Sequence, residues 1–300
     1  MSEYIRNPVE WSFDQLKGFG KAVGVAGRSI SGVDETGAVA VPVPAIRRIS
    51  VGDLGAVLRM GLDDFSAYRT DVVLLCFIYP LLGVVLVRLI FGYGVLPLLF
   101  PLASGFALLG PAAAVGLYEM SRRREQGHTV SWLDAFGVVQ SPRFGAVLLL
   151  SALLLAIFLV WMAAATATYN VTLGPEAPAS FGSFLRDVFT TGAGWTMIVV
   201  GVGVGFMFAV LVLAISVISF PLMLDRELGM AEAISASVTA VIANPGPMAA
   251  WGLIVALGLV VGSIPLFLGL AVVLPVLGHA TWHLYRRLVQ PAALAPARRL

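Results

Sequence analysis

Polar and apolar positions along this chain fall in blocks instead of alternating. Residues 1–71 hold most of the polarity, and from Val72 onward long apolar runs follow one another with short polar stretches between them. A hydrocarbon core about 30 Å thick is crossed by about 20 apolar residues in helical form, because every backbone donor and acceptor must be paired inside it. Six stretches meet that requirement, at 71–92, 95–120, 144–166, 195–220, 248–264 and 265–284. The last two form one apolar run, expected to break at Gly262-Ser263-Ile264-Pro265; one long kinked helix there would leave five spans. The fold class expected is all-α, a polytopic membrane bundle of six transmembrane helices in three hairpins with short interfacial helices.

The interfacial helices come from a second, shorter period. Leu54, Leu58, Leu62 and Phe65 form one helical stripe, Trp132, Phe136 and Val139 a second, and Ile234, Val238 and Val241 a third. Each stripe precedes a span, and such stripes suit helices lying in the headgroup plane. Ser141-Pro142 and Asn244-Pro245 close the second and third, since proline disfavours a helical residue before it. The spans then group as three tandem helix-plus-hairpin units, about 51–120, 130–220 and 230–285, within a membrane domain of 46–290. A loosely ordered tail is expected over 1–45 and a basic tail over 291–300. Between the third and fourth spans, Phe181, Phe184, Leu185, Val188 and Phe189 recur at helical spacing, which predicts a helix resting on the outer leaflet.

Composition sharpens the picture: 59% of the residues are hydrophobic and 12% charged, with mean hydropathy +0.92. Soluble domains carry roughly 25% charged residues, and a water-soluble fold could not hide this much apolar surface. The single cysteine, Cys76, lies in an apolar run, which excludes an intramolecular disulfide and a thiolate metal cluster. No secretory signal is visible at the start, so the N-terminus is expected in the cytoplasm. With six spans, 17 of the 19 Lys and Arg then fall on the inner side. Arg186 alone is clearly outside, and Arg88 lies near the outer end of the first span. That is the positive-inside distribution, and it places a multi-pass chain in a bacterial inner membrane with both termini cytoplasmic.

Candidate chemistry is sparse. His279 and His283 stand four apart on the sixth span, so both imidazoles share one helix face, the geometry of a metal or haem-linked pair. Glu119 and Asp225, at the inner ends of the second and fourth spans, are the acids expected at the same depth. With Arg122 and Arg226 they would form an inner-face polar cluster, or simply anchor the interface. The middle of the membrane is expected to hold no acidic residue, which counts against a proton-driven pump. Gly201 and Gly205, and Gly258 and Gly262, put small residues on helix faces where backbones can approach closely. No Ser/His/Asp or Cys/His arrangement, H-E-x-x-H or C-x-x-C emerges. Gly18-Phe19-Gly20-Lys21 lacks the upstream glycine of a phosphate loop, and nothing calls for a cofactor or for nucleic acid.

Three stretches carry a resemblance. Pro101-Leu-Ala-Ser-Gly-Phe-Ala-Leu-Leu-Gly-Pro111 with Gly116-Leu-Tyr-Glu-Met-Ser-Arg122, Ser219-Phe-Pro-Leu-Met-Leu-Asp-Arg226, and Leu274-Pro-Val-Leu-Gly-His-Ala-Thr-Trp-His-Leu-Tyr-Arg-Arg287 resemble an uncharacterised family of predicted integral membrane proteins from proteobacteria, a domain of unknown function. The resemblance runs in order over about 45–290. It implies a membrane protein and brings no activity, substrate or site residue. Some members are labelled as similar to cytochrome c oxidase subunit I. That chemistry needs about twice as many spans and a set of histidines for two haems and a copper, and this chain has three histidines.

The expected function is a non-enzymatic membrane protein that scaffolds or assists a membrane complex, a respiratory complex among the candidates. Two alternatives stand beside it: a channel or transporter for a small neutral or apolar solute, and a metal- or haem-binding protein using His279 and His283. The partners expected are the lipid bilayer and another membrane protein.

Overall fold

A computed structural model of the chain describes residues 44–76, 88, 96–226, 228–265 and 267–290. The two expected tails, apart from residues 44 and 45, and most of the first span lie outside the described residues. Among the described residues the chain is helical, with one isolated antiparallel bridge, Ile46 to Val289. Ten α-helices follow in order: α1 (Asp53–Cys76), α2 (Leu99–Ala113), α3 (Val115–Glu125), α4 (Phe144–Thr172), α5 (Phe181–Thr190), α6 (Gly192–Ser216), α7 (Ser219–Asp225), α8 (Met230–Ala243), α9 (Pro245–Ser263) and α10 (Leu270–Leu288). Short 3-10 helices occupy Leu96–Leu98 and Trp132–Gln140.

Among the described residues three segments are long and apolar enough to cross a membrane: Phe144–Thr172, Gly192–Asp225 and Pro245–Ser263. The first and third are α4 and α9; the second joins α6 to α7. Their outer faces are apolar and unpacked, with Leu159 58%, Met207 71% and Val260 61% exposed. The inward face of α4 is organised by Trp161, which is 2% exposed and donates from Nε1 to Ser104 Oγ at 2.9 Å. Phe208 of α6 lies 5.7 Å away, centroid to centroid, and Gly205 faces the indole where a Cβ would come within 3.0 Å.

The sequence places the first stripe on a separate interfacial helix, but α1 runs unbroken from Asp53 to Cys76, through that stripe and into the start of the first span. It lies antiparallel against α10, with Asp53 near Arg287, Gly61 against Val276 and Ala280, and Asp64 near His283. A Cβ on Gly61 would sit 2.7 Å from Ala280 Cβ and from the Val276 carbonyl oxygen, so the two backbones meet there because neither residue is large. The buried face of α1 is Leu54, Val57 and Asp64; Leu58 is half-buried, and Leu62 is 51% exposed.

Other boundaries move for local reasons. The expected second span divides at Ala114 into α2 and α3, just past Pro111, which cannot donate to the helical ladder. The second stripe is a 3-10 helix opened by a reciprocal Ser131–Asp134 cap, and it leaves Phe136 54% and Val139 43% exposed. In α8 the residues at the centre of the contact are Ala233, Ala236, Ser237 and Ala240, while Ile234, Val238 and Val241 are half-buried at its edge. Small side chains let α8 approach α6 and α7 closely. The run 248–284 is two helices: α9 stops at Ser263, and the turn holds Phe267 in the left-handed region at φ 66°. Gly262 and Gly269 touch across that turn, where a Cβ on Gly269 would be 2.8 Å from the Gly262 Cα. The helix expected after the third span is α5, opened by a Ser180–Ser183 capping box.

Candidate functional site

The polar side chains gather at one end of α10. From His279 to Arg287 that helix offers His279, Trp282, His283, Tyr285, Arg286 and Arg287, and each finds an acid or hydroxyl on α1, α3 or α7. Glu125 of α3 accepts from Trp282 Nε1 at 3.0 Å and from Arg286 Nε at 2.9 Å. Asp225 of α7 accepts from the Tyr285 hydroxyl and, at 3.4 Å, from Arg286 Nη1. Asp53 of α1 accepts from Arg287 at 3.4 Å.

Asp64 is the centre of the buried part. It is 5% exposed, and its carboxylate gathers groups from two other helices, α3 and α10. Oδ2 accepts from the Ser121 hydroxyl at 2.6 Å and pairs with His283 Nε2 at 2.9 Å, while Oδ1 accepts from Arg124 at 2.7 Å. His279 Nδ1 lies 2.8 Å from Ser121 Oγ and 4.0 Å from Asp64 Oδ2. Burial works to raise the Asp64 carboxyl, but the hydrogen bonds from His283 and Ser121 outweigh it and hold the group below the ordinary aspartate value.

An ionised Asp64 settles the proton positions around it. Its oxygens only accept, so the Ser121 hydroxyl points its proton at Asp64, and the hydroxyl oxygen is left to accept from His279 Nδ1–H. In a neutral ring the lone pair then sits on Nε2. That atom is fully buried, and among the described residues no hydrogen-bond partner reaches it. His279 itself is 0% exposed, on the face of α10 toward α3. The arrangement of a carboxylate, a bridging hydroxyl and an imidazole presenting its far nitrogen is the kind that orients metal-bound histidines.

The sequence-derived site residues are redistributed. His279 and His283 do share a face, but they converge on Asp64, and His283 Nε2 is engaged there. Among the described residues no group of three or more His, Cys, Asp and Glu side chains is placed to hold a metal ion. Glu119 and Asp225, expected beside the histidines, go elsewhere. Glu119 is 4% exposed and takes a two-pronged bond from Arg122 at 2.7 and 2.8 Å and another from Arg123 at 2.7 Å. Arg123 also reaches Asp134, and Arg226 donates to the Gln290 carbonyl. Of the expected inner cluster, Glu119 and Arg122 pair directly, Asp225 lies close enough to Arg122 for their charges to interact, and Arg226 bonds the Gln290 carbonyl. Of the glycines, a Cβ added to Gly205, Gly258 or Gly262 would come within 3.0, 3.2 and 2.8 Å of Trp161, Val273 and Leu270, whereas one on Gly201 would meet nothing within 4 Å.

Asp64, Ser121 and Asn244 are the residues that sequence reasoning missed. Asp64 lies at i+7 from Val57 and i+10 from Leu54, on the face that proves buried; an acid on that face was the available signal. Asn244, 2% exposed between α8 and α9, accepts from Ile49 N–H at 2.8 Å and donates to the carbonyls of Arg47 and Ala240 at 3.1 and 3.0 Å. It fastens the segment before α1 to the bundle. That segment also pairs with the end of α10, Arg47 N–H to Leu288 O at 2.7 Å and Gln290 N–H to Ala45 O at 3.4 Å.

Long unpacked apolar helices with polar groups drawn to one end define an integral membrane protein with several membrane-spanning helices. The model of a family described as predicted integral membrane protein (DUF2189) matches residues 99–225, from α2 to α7, and the chain shares that stretch with this uncharacterised membrane family. No curated protein and no solved structure matches the chain. The matched stretch contains Ser121 and Arg124 but neither Asp64 nor the two histidines.

Proposed function

We propose that this chain is a six-span inner-membrane protein, both termini cytoplasmic, acting as a non-enzymatic scaffold or accessory factor of a membrane complex. The observation that carries this reading is α6. It is 25 residues long and apolar, yet only Gly194, Val212 and Ser216 are buried, while Val202, Phe206 and Met207 are 54, 67 and 71% exposed. Such a face is available to another membrane helix, and packing against one would gain the close contacts that drive association in lipid.

Photo-crosslinking side chains placed at Val202 and Met207 test this in intact cells. One discrete protein adduct, absent when the same group is placed at buried Val212, is the expected result. Lipid adducts alone, with a monomer in mild detergent, contradict it.

A second reading is favoured by one atom, the unpartnered Nε2 of His279. A neutral imidazole fixed through Nδ1 is a ligand for a transition metal or a haem iron, with Ser121 and Asp64 as its support and His283 as a second brace on Asp64. Metal analysis and visible spectra of purified protein decide it. Metal or haem lost in His279→Ala and kept in His283→Ala supports this reading, and a colourless, metal-free wild type ends it.

A further inference from the structure

The arginines at the polar end fall into two sets. Arg122 and Arg123 are committed to Glu119 and Asp134, Arg124 to Asp64, and Arg286 to Glu125 and Asp225. The other set surrounds the pairing of residues 45–47 with 288–290. Arg47 and Arg48 are exposed there, and among the described residues no carboxylate pairs with either. Arg287 is 45% exposed, and among the described residues the acid it pairs with is Asp53, at 3.4 Å. Asp53 in turn already accepts from the Ser50 N–H and hydroxyl, both at 2.8 Å. Arg226 donates to the Gln290 carbonyl and also bonds the Tyr285 side chain, and among the described residues no carboxylate pairs with it, so it brings positive charge to the same place. Asp225, next to it, is occupied by Tyr285 and Arg286.

Backbone hydrogen bonds fix this concentration of charge. Arg47 N–H is tied to Leu288 O, the Arg47 carbonyl to Asn244, and Gln290 N–H to Ala45 O, so Arg47 and Arg48 are held beside Arg287 by main-chain bonds. Val51, three residues on from Arg48, is 55% exposed and adds an apolar side chain to the same rim. Guanidinium groups with no carboxylate among the described residues, as at Arg47 and Arg48, or with only a long contact to an acid already engaged elsewhere, as at Arg287, have the chemistry that phosphate esters of lipids satisfy when they lie beside an exposed apolar residue at the end of membrane-spanning helices. Arginine offers two parallel donors to phosphate oxygens, and juxtamembrane basic clusters are drawn to anionic leaflets.

We propose that Arg47, Arg48, Arg226 and Arg287 form a binding surface for the phosphate headgroups of anionic phospholipids. The surface closes the bundle: a headgroup bridging Arg48 and Arg287 clamps the segment before α1 onto the end of α10. The proposal does not depend on the scaffold reading, because its test uses lipid discs in which sidedness and partner proteins play no part.

The purified full chain is placed in discs of phosphatidylcholine alone and in discs that also contain phosphatidylglycerol, and thermal unfolding and retained lipid are measured in each. The anionic discs are expected to raise the midpoint, the rise shrinking with added salt, and native mass spectrometry is expected to find phosphatidylglycerol retained. R47Q/R48Q should lose most of the rise and of the retained lipid, and R287Q part of it. R186Q, on the helix at the opposite end, should behave as wild type. Equal midpoints in both lipids, or an undiminished response in R47Q/R48Q, overturn the proposal. So does inorganic phosphate reproducing the rise in neutral discs, since the surface would then bind the free ion. If R47Q/R48Q fails to fold, R287Q alone decides by the same two readouts.

Discussion

Removing the Asp64 carboxylate takes the acceptor from Ser121, His283 and Arg124 at once; Arg124 is 37% exposed and can turn to water, but the Ser121 hydroxyl and the imidazoles stay behind in the interior. Truncating one partner of a buried charged network costs about 3–5 kcal/mol, because the remaining groups stay buried without compensation. Asp64→Ala is therefore expected to be among the most destabilising single changes at the polar end, read as a lowered unfolding midpoint in detergent. Ser121→Ala removes one neutral bridge and should cost less, about 1–3 kcal/mol. Acid gives a second test. The Asp64 carboxyl is depressed on folding, so its contribution is complete above the unfolded value of 3.8 and is lost as pH falls below that through the folded value. Asp64→Asn should flatten this acid limb of the stability profile; a profile of unchanged shape would show that the ionised carboxylate is not the group holding the site.

Among the elements, α1 and α10 show how much was legible and where reading stopped. The stripe through Leu54 announces a helix, and the apolar run after Val72 announces a span, but the two look separate because Asp63, Asp64, Arg69 and Asp71 lie between them. Polarity in that stretch suggests a break only while it is assumed to face solvent. In the structure Asp64 faces two histidines 215 and 219 residues further along the chain, and no local pattern encodes such a pairing. The turn at Gly262-Ser263-Ile264-Pro265 was legible, since glycine and proline act through local backbone chemistry. Gly61 marks the α1–α10 contact by its missing side chain. Gly61→Ala would place its Cβ 2.7 Å from Ala280 Cβ and the Val276 carbonyl, and relieving that overlap by moving helices costs about 1–3 kcal/mol. Adding Ala280→Gly to the variant should recover part of the loss, because one of the clashing carbons is gone. Full independence of the two changes would mean that the helices do not meet there.

Across the whole molecule, the two ends of the described chain are held together. Asn244 joins the segment before α1 to the α8–α9 junction, and the bridge from Ile46 to Val289 joins it to the end of α10. Asn244→Ala would leave the Ile49 N–H and Arg47 carbonyl without that partner, a cost of about 1–3 kcal/mol. Faster proteolytic cleavage within residues 44–50 is the expected sign, with the helices after Leu96 unaffected. Protection equal to wild type would show that Asn244 does not fasten the segment.

The central claim is that hairpins cross a lipid sheet so that the arginine-rich end near Gln290 and the turn before α5 lie on opposite faces. Reporter fusions at Pro175 and Gln290, each active on one side of the membrane only, measure this directly. Activity at Gln290 of the kind found in the cytoplasm, and at Pro175 of the kind found outside it, is the expected result. The same response at both positions would contradict the architecture and the placement of every polar residue discussed with it.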